Sequence, residues 1–249
     1  MVEAFRQLGH TEEILKSIKE HRFEIPSEIQ KKTVPLILEG KDVIAGSATG
    51  SGKTLAFGAG MIQTIEKGKG VQALILTPTR ELAEQITIAL EKFSKYRELR
   101  VLSVYGGVSI NNQISSLGHA DIVVGTPGRI LDHLERRTID LSKVKTLVLD
   151  EADRMLDMGF YDDVDEIIKQ CPKERQTLLF SATIDSDIEQ LGKKYMNNPQ
   201  EINVESFVDA SKLRQIFYDV PDNLKQRSGQ VVNNFTCAEN MNIHKHAYV

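Results

Sequence analysis

From residue 43 onward, short runs of consecutive apolar residues alternate with longer segments whose apolar residues recur at helical spacing. The runs are Val43–Ala45, Ala73–Leu76, Val101–Tyr105, Ile122–Val124, Thr146–Leu149 and Thr177–Phe180. Continuously apolar strands are typical of a parallel sheet that is buried on both faces. The intervening segments predict helices at about 53–66, 80–96, 109–117, 128–136, 161–170 and 186–196. The alternation predicts an α/β fold with an open, mainly parallel sheet and helices on both faces.

Two helices are predicted ahead of the first strand. The apolar positions of the first recur at helical spacing, at Ile14, Leu15 and Ile18. The second begins at Ser27 and ends at Gly40, and we expect Pro35 within it to kink or shorten it.

Composition narrows the class of protein but names no partner. The 249 residues are 41% hydrophobic and 27% charged, which is ordinary for a globular protein with one large domain. The net charge of −4 means that any nucleic-acid binding has to come from a local patch. Cys171 and Cys237 form no CxxC pair, so we expect no zinc site and a reducing compartment. No apolar run has the length of a membrane span, so we expect a cytoplasmic protein without membrane contact.

Polar or glycine-rich residues follow most of the predicted strands. Ligands of open parallel sheets bind at the carboxyl ends of the strands. The dipeptides at these ends are Thr77-Pro78, Gly106-Gly107, Thr126-Pro127, Asp150-Glu151 and Ser181-Ala182. Together they indicate a site along this edge more strongly than any one of them does.

A glycine-rich turn between the first strand and the next helix predicts a phosphate-binding loop. Its residues are Ser47, Ala48, Thr49, Gly50, Ser51, Gly52, Lys53 and Thr54. Backbone N–H groups and the helix N-terminus would attract phosphate, Lys53 would reach the β- and γ-phosphates of ATP, and Thr54 would ligate Mg²⁺. The strict pattern has glycine at position 47, so the loop alone does not decide the function.

Three carboxylates follow the apolar run Thr146–Leu149: Asp150, Glu151 and Asp153. Asp150 is suited to hold Mg²⁺ opposite Thr54, and Glu151 to polarise the water that attacks the γ-phosphate. The alternative is an acidic loop that begins a helix, since carboxylates favour helix N-termini. The phosphate loop upstream favours the catalytic interpretation, with Lys53 as the third catalytic residue.

The segment Asp150-Glu151-Ala152-Asp153 and the residues through Phe160 resemble the signature of the DEAD-box RNA helicases. The similarity covers roughly residues 5–220 and includes several independent motifs in the order of that family. It implies a RecA-like P-loop NTPase domain that uses ATP and Mg²⁺. RNA is the implied partner, bound through its phosphate backbone without sequence preference.

Residues 23–30 resemble the Q motif of that family. The resemblance implies that Gln30 recognises adenine, that Phe5 packs against the adenine ring, and that Phe23 belongs to the same ATP site. A surface glutamine and a core phenylalanine are the structural alternatives. The chain departs from the family pattern at Arg22, where glycine is usual, and at Ser47, where alanine is usual.

Three further strand ends resemble the RNA-binding motifs of the family. The implied RNA-binding residues are Pro78, Thr79, Arg80, Gly106, Gly107, Thr126, Pro127, Gly128 and Arg129. Hydroxyls, guanidinium groups and N–H groups at helix N-termini bind phosphates without reading sequence. Taken singly, ordinary helix capping and an exposed Arg80–Glu81 pair explain them better. As a set, they favour RNA.

Ser181 and Thr183 follow the last predicted strand, and the resemblance implies that they couple ATP to RNA through Asp153. A helix cap ahead of Asp185 is the alternative. The histidines have no metal-like spacing, and we interpret them as exposed polar residues.

The predicted organisation is a RecA-like ATP-binding domain at 1–208, a linker-like segment at 209–224 and a polar tail at 225–249. No segment resembles the second RecA-like domain that would supply arginine fingers. We therefore expect a monomeric first half of a helicase, inactive alone in unwinding, with a second RecA-like domain as partner. The rival hypothesis is a non-catalytic module that binds RNA or a partner protein. DNA unwinding fits the motifs less well.

Overall fold

The computed structural model describes residues 2–48 and 50–204. Three helices come first: α1 (Glu3–Arg6), α2 (Glu12–Glu20) and α3 (Glu28–Leu38). The first half of the sheet and its crossovers are β1 (Val43–Gly46), α4 (Lys53–Ile62), β2 (Ala73–Leu76), α5 (Arg80–Ser94), β3 (Val101–Val104), α6 (Ile110–Leu117) and β4 (Ile122–Gly125). The remainder is α7 (Pro127–Glu135), β5 (Thr146–Asp150), α8 (Ala152–Asp157), α9 (Tyr161–Gln170), β6 (Gln176–Ser181), α10 (Ser186–Tyr195) and β7 (Gln200–Asn203).

The strands form one seven-stranded sheet in the order β3-β4-β2-β5-β6-β1-β7. All adjacent pairs are parallel, and residues 73–76 of β2 pair in register with residues 122–125 of β4 and 146–149 of β5. The predicted open parallel sheet is confirmed. Since every strand runs the same way, all their carboxyl ends lie along one edge.

Two apolar cores cover the two faces of the sheet. Successive residues of a strand enter opposite cores: Ile75 lies in one core, and Leu74 and Leu76 lie in the other. Helices α2 to α5 cover the first face, and α7 to α10 cover the second. Burial on both faces is the reason that the strands are continuously apolar.

Three elements differ from the sequence prediction, and two of them do so because their patterns are weak. Strand β7 was not predicted: it is polar, its residues alternate between half-buried and exposed, and it pairs only with β1 at the sheet margin. Helix α8 spans only six residues after the acidic strand end. Helix α3 continues past Pro35 to Leu38, so the proline does not shorten it. The predicted linker and tail, and the extended segment expected at 213–220, lie outside the described residues.

Within residues 2–48 and 50–204, every helix is too short or too polar to cross a lipid bilayer.

A substitution at Gly125 tests the packing at the end of β4. A Cβ atom there would lie 2.5 Å from the Val104 carbonyl oxygen and 2.8 Å from Ile130 Cδ1. We expect Gly125→Ala to lower the free energy of unfolding by about 1–3 kcal/mol in urea titrations, because the backbone carbonyl cannot yield as a side chain does.

Gly118→Ala is the matched control. Gly118 has helical dihedrals, and a Cβ there meets no atom within 4 Å. We expect that variant to be as stable as the parent or more stable by up to about 1 kcal/mol. Equal stability of the two variants would contradict the packing seen at Gly125.

Candidate functional site

The order of the strands divides the carboxyl edge of the sheet into two halves. Strands β5, β6 and β1 are neighbours, and they end at the acidic segment, at Ser181 and at the phosphate loop. Strands β3, β4 and β2 are neighbours on the other side, and they end at the three predicted RNA-binding motifs. The predicted ATP residues and the predicted RNA residues therefore occupy adjacent halves of one edge.

The phosphate loop joins β1 to α4 and is held by its own polar groups. Gly52 precedes the helix with φ 92°, a left-handed conformation that favours glycine. The buried Lys53 Nζ donates to the Ser47 carbonyl at 3.1 Å, and Ser47 Oγ lies 2.9 Å from Ser51 Oγ. Ser47 thus adds a hydrogen bond across the loop that alanine could not make. Thr49 lies outside the described residues.

Gln30 links the Q-motif segment to the phosphate loop. Its Oε1 accepts from the Ser27 backbone N–H at 3.0 Å, and its Nε2 donates to the Gly52 carbonyl at 3.1 Å. The contact is so close that a Cβ on Gly52 would lie 2.5 Å from Gln30 Nε2. Sequence reasoning missed this link, which only the folded chain creates. Recognition of adenine by Gln30 stays a prediction, and it requires the carboxamide to exchange these partners.

The two phenylalanines assigned to the ATP site lie in different environments. Phe5 is completely buried in the core, with its ring centroid 6.3 Å from that of His10. Its contact with adenine stays a prediction, and it requires the ring to become exposed when the nucleotide binds. Phe23 is 38% exposed and its ring packs against Phe93, so it remains available to contact a nucleotide.

Arg22, where the family usually has glycine, has φ 57°. This left-handed conformation is the physical reason that glycine suits the turn.

Asp150 and Glu151 form the acidic end of β5. Asp150 is 3% exposed, and burial raises its pKa to about 6, opposed by the positive charge of Lys53. Its Oδ1 accepts only from the Glu151 N–H, at 3.1 Å, among the described residues. Glu151 has φ 52°, a strained conformation for a non-glycine residue, and its carboxylate lies 3.2 Å from Arg154 Nη1.

Asp153 joins the end of β5 to the end of β6, which brings together the three residues predicted to couple ATP and RNA. Its Oδ2 accepts from the Ala182 N–H at 3.1 Å, the Thr183 N–H at 3.0 Å and the Thr183 hydroxyl at 3.1 Å. Its own N–H donates to Ser181 Oγ at 3.2 Å. Burial acts to raise the pKa of Asp153, but hydrogen bonds from the Thr183 and Arg154 backbones outweigh it and hold the pKa below its ordinary value.

The predicted RNA-binding residues lie on the other half of the edge. Thr79 Oγ1 caps α5 by accepting from the Leu82 N–H at 3.3 Å, and Arg80 pairs with Glu81 at 2.8 Å, as the capping and ion-pair alternatives expected. Arg80 also reaches the next motif, since a Cβ on Gly107 would lie 3.2 Å from Arg80 Nη1. The fourth strand end supplies Thr126, Pro127 and Gly128 at the start of α7.

The prediction that the histidines are exposed is wrong for two of them. His10 is 5% exposed and lies 3.2 Å from Gln63 Nε2, and burial lowers its pKa to about 4. His133 is fully buried, with Nε2 3.0 Å from Gln113 Oε1. Spacing alone gave no sign of burial, although His133 stands on the apolar side of α7.

Comparisons with known proteins bear on the family and the fold. The family model described as DEAD/DEAH box helicase matches residues 27–191. The chain is 51% identical over 224 residues to the ATP-dependent RNA helicase CshA of Listeria monocytogenes, covering 89% of this chain and 43% of that protein. It is 44% identical to the DEAD-box ATP-dependent RNA helicase CshA of Geobacillus kaustophilus, covering 89% of this chain and 48% of that protein. It thus spans less than half the length of these curated relatives.

Two solved structures are similar in fold. A DEAD box protein from Methanococcus jannaschii superposes with a TM-score of 0.79 at 40% identity, over 93% of this chain and 63% of that chain. A hypothetical ATP-dependent RNA helicase from Sulfolobus tokodaii gives a TM-score of 0.74 at 37% identity, over 90% of this chain and 66% of that one.

The buried Asp150 and the half-buried Asp153 should respond oppositely to removal of their charge. Because the pKa of Asp150 is raised in the folded protein, the free energy of unfolding falls as pH rises from the pKa of the unfolded chain through about 6. We expect Asp150→Asn, in the presence of a chelator, to raise the free energy of unfolding by about 1–3 kcal/mol at pH 8 and to have little effect near pH 4. Denaturant titration at both pH values measures this.

Asp153→Asn is the counterpart. The amide NH₂ would face the N–H groups that Asp153 now accepts from, so we expect a loss of about 1–3 kcal/mol at pH 8. Destabilisation by both substitutions would show that Asp150 is a structural acid like Asp153.

Proposed function

The chain belongs to the DEAD/DEAH box helicase family, and we propose that it is the ATP-binding and RNA-backbone-binding first domain of an ATP-dependent RNA helicase. The division of the carboxyl edge carries this proposal. Phosphate-binding and acidic residues end one set of three adjacent strands, and candidate phosphate-contacting residues end a second set of three. Strand β5 stands at the border, paired with β2 on the RNA side and with β6 on the ATP side.

The residues around Gly52 fit a nucleotide. Ser27 Oγ is buried at the start of α3, where it faces the Gln30 backbone N–H in a capping box, and its hydroxyl proton has no acceptor among the described residues. It lies 3.2 Å from the position that a Cβ on Gly52 would occupy, next to the Gln30 carboxamide. A free hydroxyl and a glutamine side chain beside the phosphate loop supply the polar groups that a purine base needs. In this proposal Gln30 recognises adenine and Phe23 packs against the base.

The donor set at the end of β5 fits Mg²⁺. Asp150 is buried, and its single backbone hydrogen bond leaves most of its carboxylate unsatisfied. Mg²⁺ prefers hard oxygen ligands, and the Asp150 carboxylate and the Thr54 hydroxyl are both of this kind. These two residues would hold the ion, which would neutralise charge on the phosphates when bound.

Glu151 positions the water that attacks the γ-phosphate. Its side chain is only 17% exposed, and Arg154 holds it at 3.2 Å. The backbone of Glu151 is kept in a left-handed conformation that costs on the order of 1–2 kcal/mol, which is the kind of strain found at functional sites. Lys53 binds the β- and γ-phosphates, and this requires its amine to turn from the Ser47 carbonyl or to share it.

The RNA half of the edge binds phosphates and reads no sequence. Arg80 and the loop of Gly106 and Gly107 adjoin one another, and the N-terminus of α7 lies at the end of the neighbouring strand. Cationic and N–H donors at such positions contact the nucleic-acid backbone. Asp153 follows β5, the strand at the border of the halves, and ties its end to Ser181 and Thr183 after β6. In this proposal these three residues couple ATP to RNA.

A second RecA-like domain is needed to complete the catalytic site. The relatives are more than twice the length that this chain spans. An arginine finger supplied by a second domain is worth about 10³–10⁵ in rate, so we expect the chain alone to turn over ATP hardly at all. We further propose a monomer that acts in the cytoplasm, where its RNA substrate is found.

RNA-stimulated ATP hydrolysis tests the function. In a protein with both domains, we expect Glu151→Gln to lower kcat at least 10²-fold, because the attacking water loses its base, while the Kd for ATP stays within about twofold. Phosphate release and nucleotide titration measure the two quantities. For the chain alone, we expect turnover indistinguishable from that of the variant. Loss of ATP binding together with turnover would contradict the assigned role.

Ser47→Ala tests whether the phosphate loop must open to bind ATP. Removing the 2.9 Å hydrogen bond to Ser51 should lower the Kd for ATP by about two- to tenfold, the worth of one ordinary hydrogen bond. Titration with a fluorescent ATP analogue measures it. Ser51→Ala removes the same bond, so we expect an equal effect and no further gain in the double variant. Weaker binding by Ser47→Ala would instead mean that its hydroxyl contacts the nucleotide.

A further inference from the structure

A buried chain of polar side chains lies behind the loop between β3 and α6. Gln113, on α6, is 6% exposed, and His133, on α7, is fully buried. The loop in front of them contains Gly106, Gly107 and Val108, all exposed. Buried polar groups need hydrogen-bond partners, so the partners of these two side chains show what they hold.

Their partners are the loop backbone and Arg129. Gln113 Nε2 donates to the Tyr105 carbonyl at 3.1 Å. Arg129 Nη1 donates to the Val108 carbonyl at 3.1 Å and to Gln113 Oε1 at 3.0 Å. The carbonyls at both ends of the loop are therefore held from the same side.

His133 fixes the orientation of the Gln113 carboxamide. Its Nε2 lies 3.0 Å from Gln113 Oε1, and its Nδ1 lies 2.7 Å from Thr138 Oγ1. Because Gln113 Oε1 is an acceptor, Nε2 carries the proton. Nδ1 shares the Thr138 hydroxyl with the His133 carbonyl, which lies 3.1 Å from Thr138 Oγ1. A reversed carboxamide would point its NH₂ at two donors, Arg129 and His133, and its oxygen at a carbonyl. Only the observed orientation satisfies all these groups.

Holding the carbonyls inward turns the N–H groups of the loop outward. In a planar trans peptide the C=O of one residue and the N–H of the next point in opposite directions. The N–H groups of Gly106 and Ser109 therefore face away from Gln113 and Arg129, and both residues are exposed. Neither N–H has an acceptor among the described residues. Arg80 Nη1 lies beside Gly107 on the same rim.

We propose that Gln113 and His133 are positioning residues for RNA binding, which hold the Tyr105–Ser109 loop with its N–H groups aimed at an RNA phosphate. The inference rests on the proposed RNA-binding function and adds two side chains that touch no RNA. Arg129 takes part from inside the protein, through the Nη1 atom that holds Val108. The site thus depends on a histidine that its spacing gave no reason to select.

Gln113→Met is the principal test, because methionine fills the same volume without hydrogen bonds. Two quantities are measured on the full chain: ¹⁵N–¹H heteronuclear NOEs of residues 106–109, and the Kd for a fluorescein-labelled ten-nucleotide oligouridylate. We expect the NOEs of the loop to fall and the Kd to rise about three- to tenfold, the worth of roughly one ordinary hydrogen bond. The Kd for a fluorescent ATP analogue should stay within twofold.

Asn112→Ala is the matched control, since Asn112 precedes Gln113 and is exposed. A second pair guards against a folding defect of the Gln113 variant. His133→Phe removes both ring nitrogens and should reproduce the loss, whereas His133→Gln restores a donor near the Nε2 position and should recover most of the binding. If His133 had only a structural role, its two variants would differ in thermal midpoint but not in RNA affinity.

Each outcome separates this inference from the proposed function. Unchanged loop NOEs in Gln113→Met overturn the positioning role, whatever the RNA affinity. A mobile loop with an unchanged Kd for RNA overturns it as well, because the loop would then not contact phosphate. If the parent chain binds no oligouridylate with or without the ATP analogue, the proposed RNA binding fails, and with it the assignment of the loop to RNA.

Discussion

The parallel direction of all seven strands is the constraint on which the rest of the structure depends. Parallel strands require crossovers through helices, and these helices cover both faces of the sheet. The faces are then closed to ligands, and the carboxyl edge is where loops of different strands meet. Strand order sorts those loops, so that residues distant in the chain, such as Lys53 and Asp150, become neighbours. One edge can therefore hold a phosphate loop and an acidic segment on one side and a nucleic-acid surface on the other.

Hydrogen-bonding partners separate the structural acids of this protein from those suited to chemistry. Asp42 and Asp121 are buried, and each accepts two backbone N–H bonds, from Thr177 and Asn197 and from Gly68 and Arg100 respectively. Such carboxylates hold loops and strand ends together. Asp150 is equally buried but has one such bond, so its burial raises its pKa. A buried charge that the protein leaves partly unsatisfied is poised for a cation or a proton.

The two halves of the edge are stabilised by different devices. On the ATP side, carbonyls of the phosphate loop accept hydrogen bonds from protein side chains: Gln30 donates to Gly52, and Lys53 donates to Ser47. Ligand binding there has to replace protein contacts. On the RNA side, Gln113 and Arg129 hold carbonyls from within and leave N–H groups free at the surface. At the border of the halves, Asp153 after β5 reaches the segment after the adjacent β6 directly.

The sequence by itself determined the features that are local in the chain. Runs of apolar residues set the strands, because burial on both faces admits no polar positions. The phosphate loop and the acidic segment are contiguous, so their residues could be named, and the family resemblance followed from their order. Strand β7 escaped prediction because it is polar and pairs only at the margin of the sheet. The tertiary structure alone decided which side chains are buried and what they meet. It placed Phe5 in the core, Gln30 against Gly52 and His133 behind Gln113, because these contacts join segments far apart in sequence, and no local pattern encodes the partner.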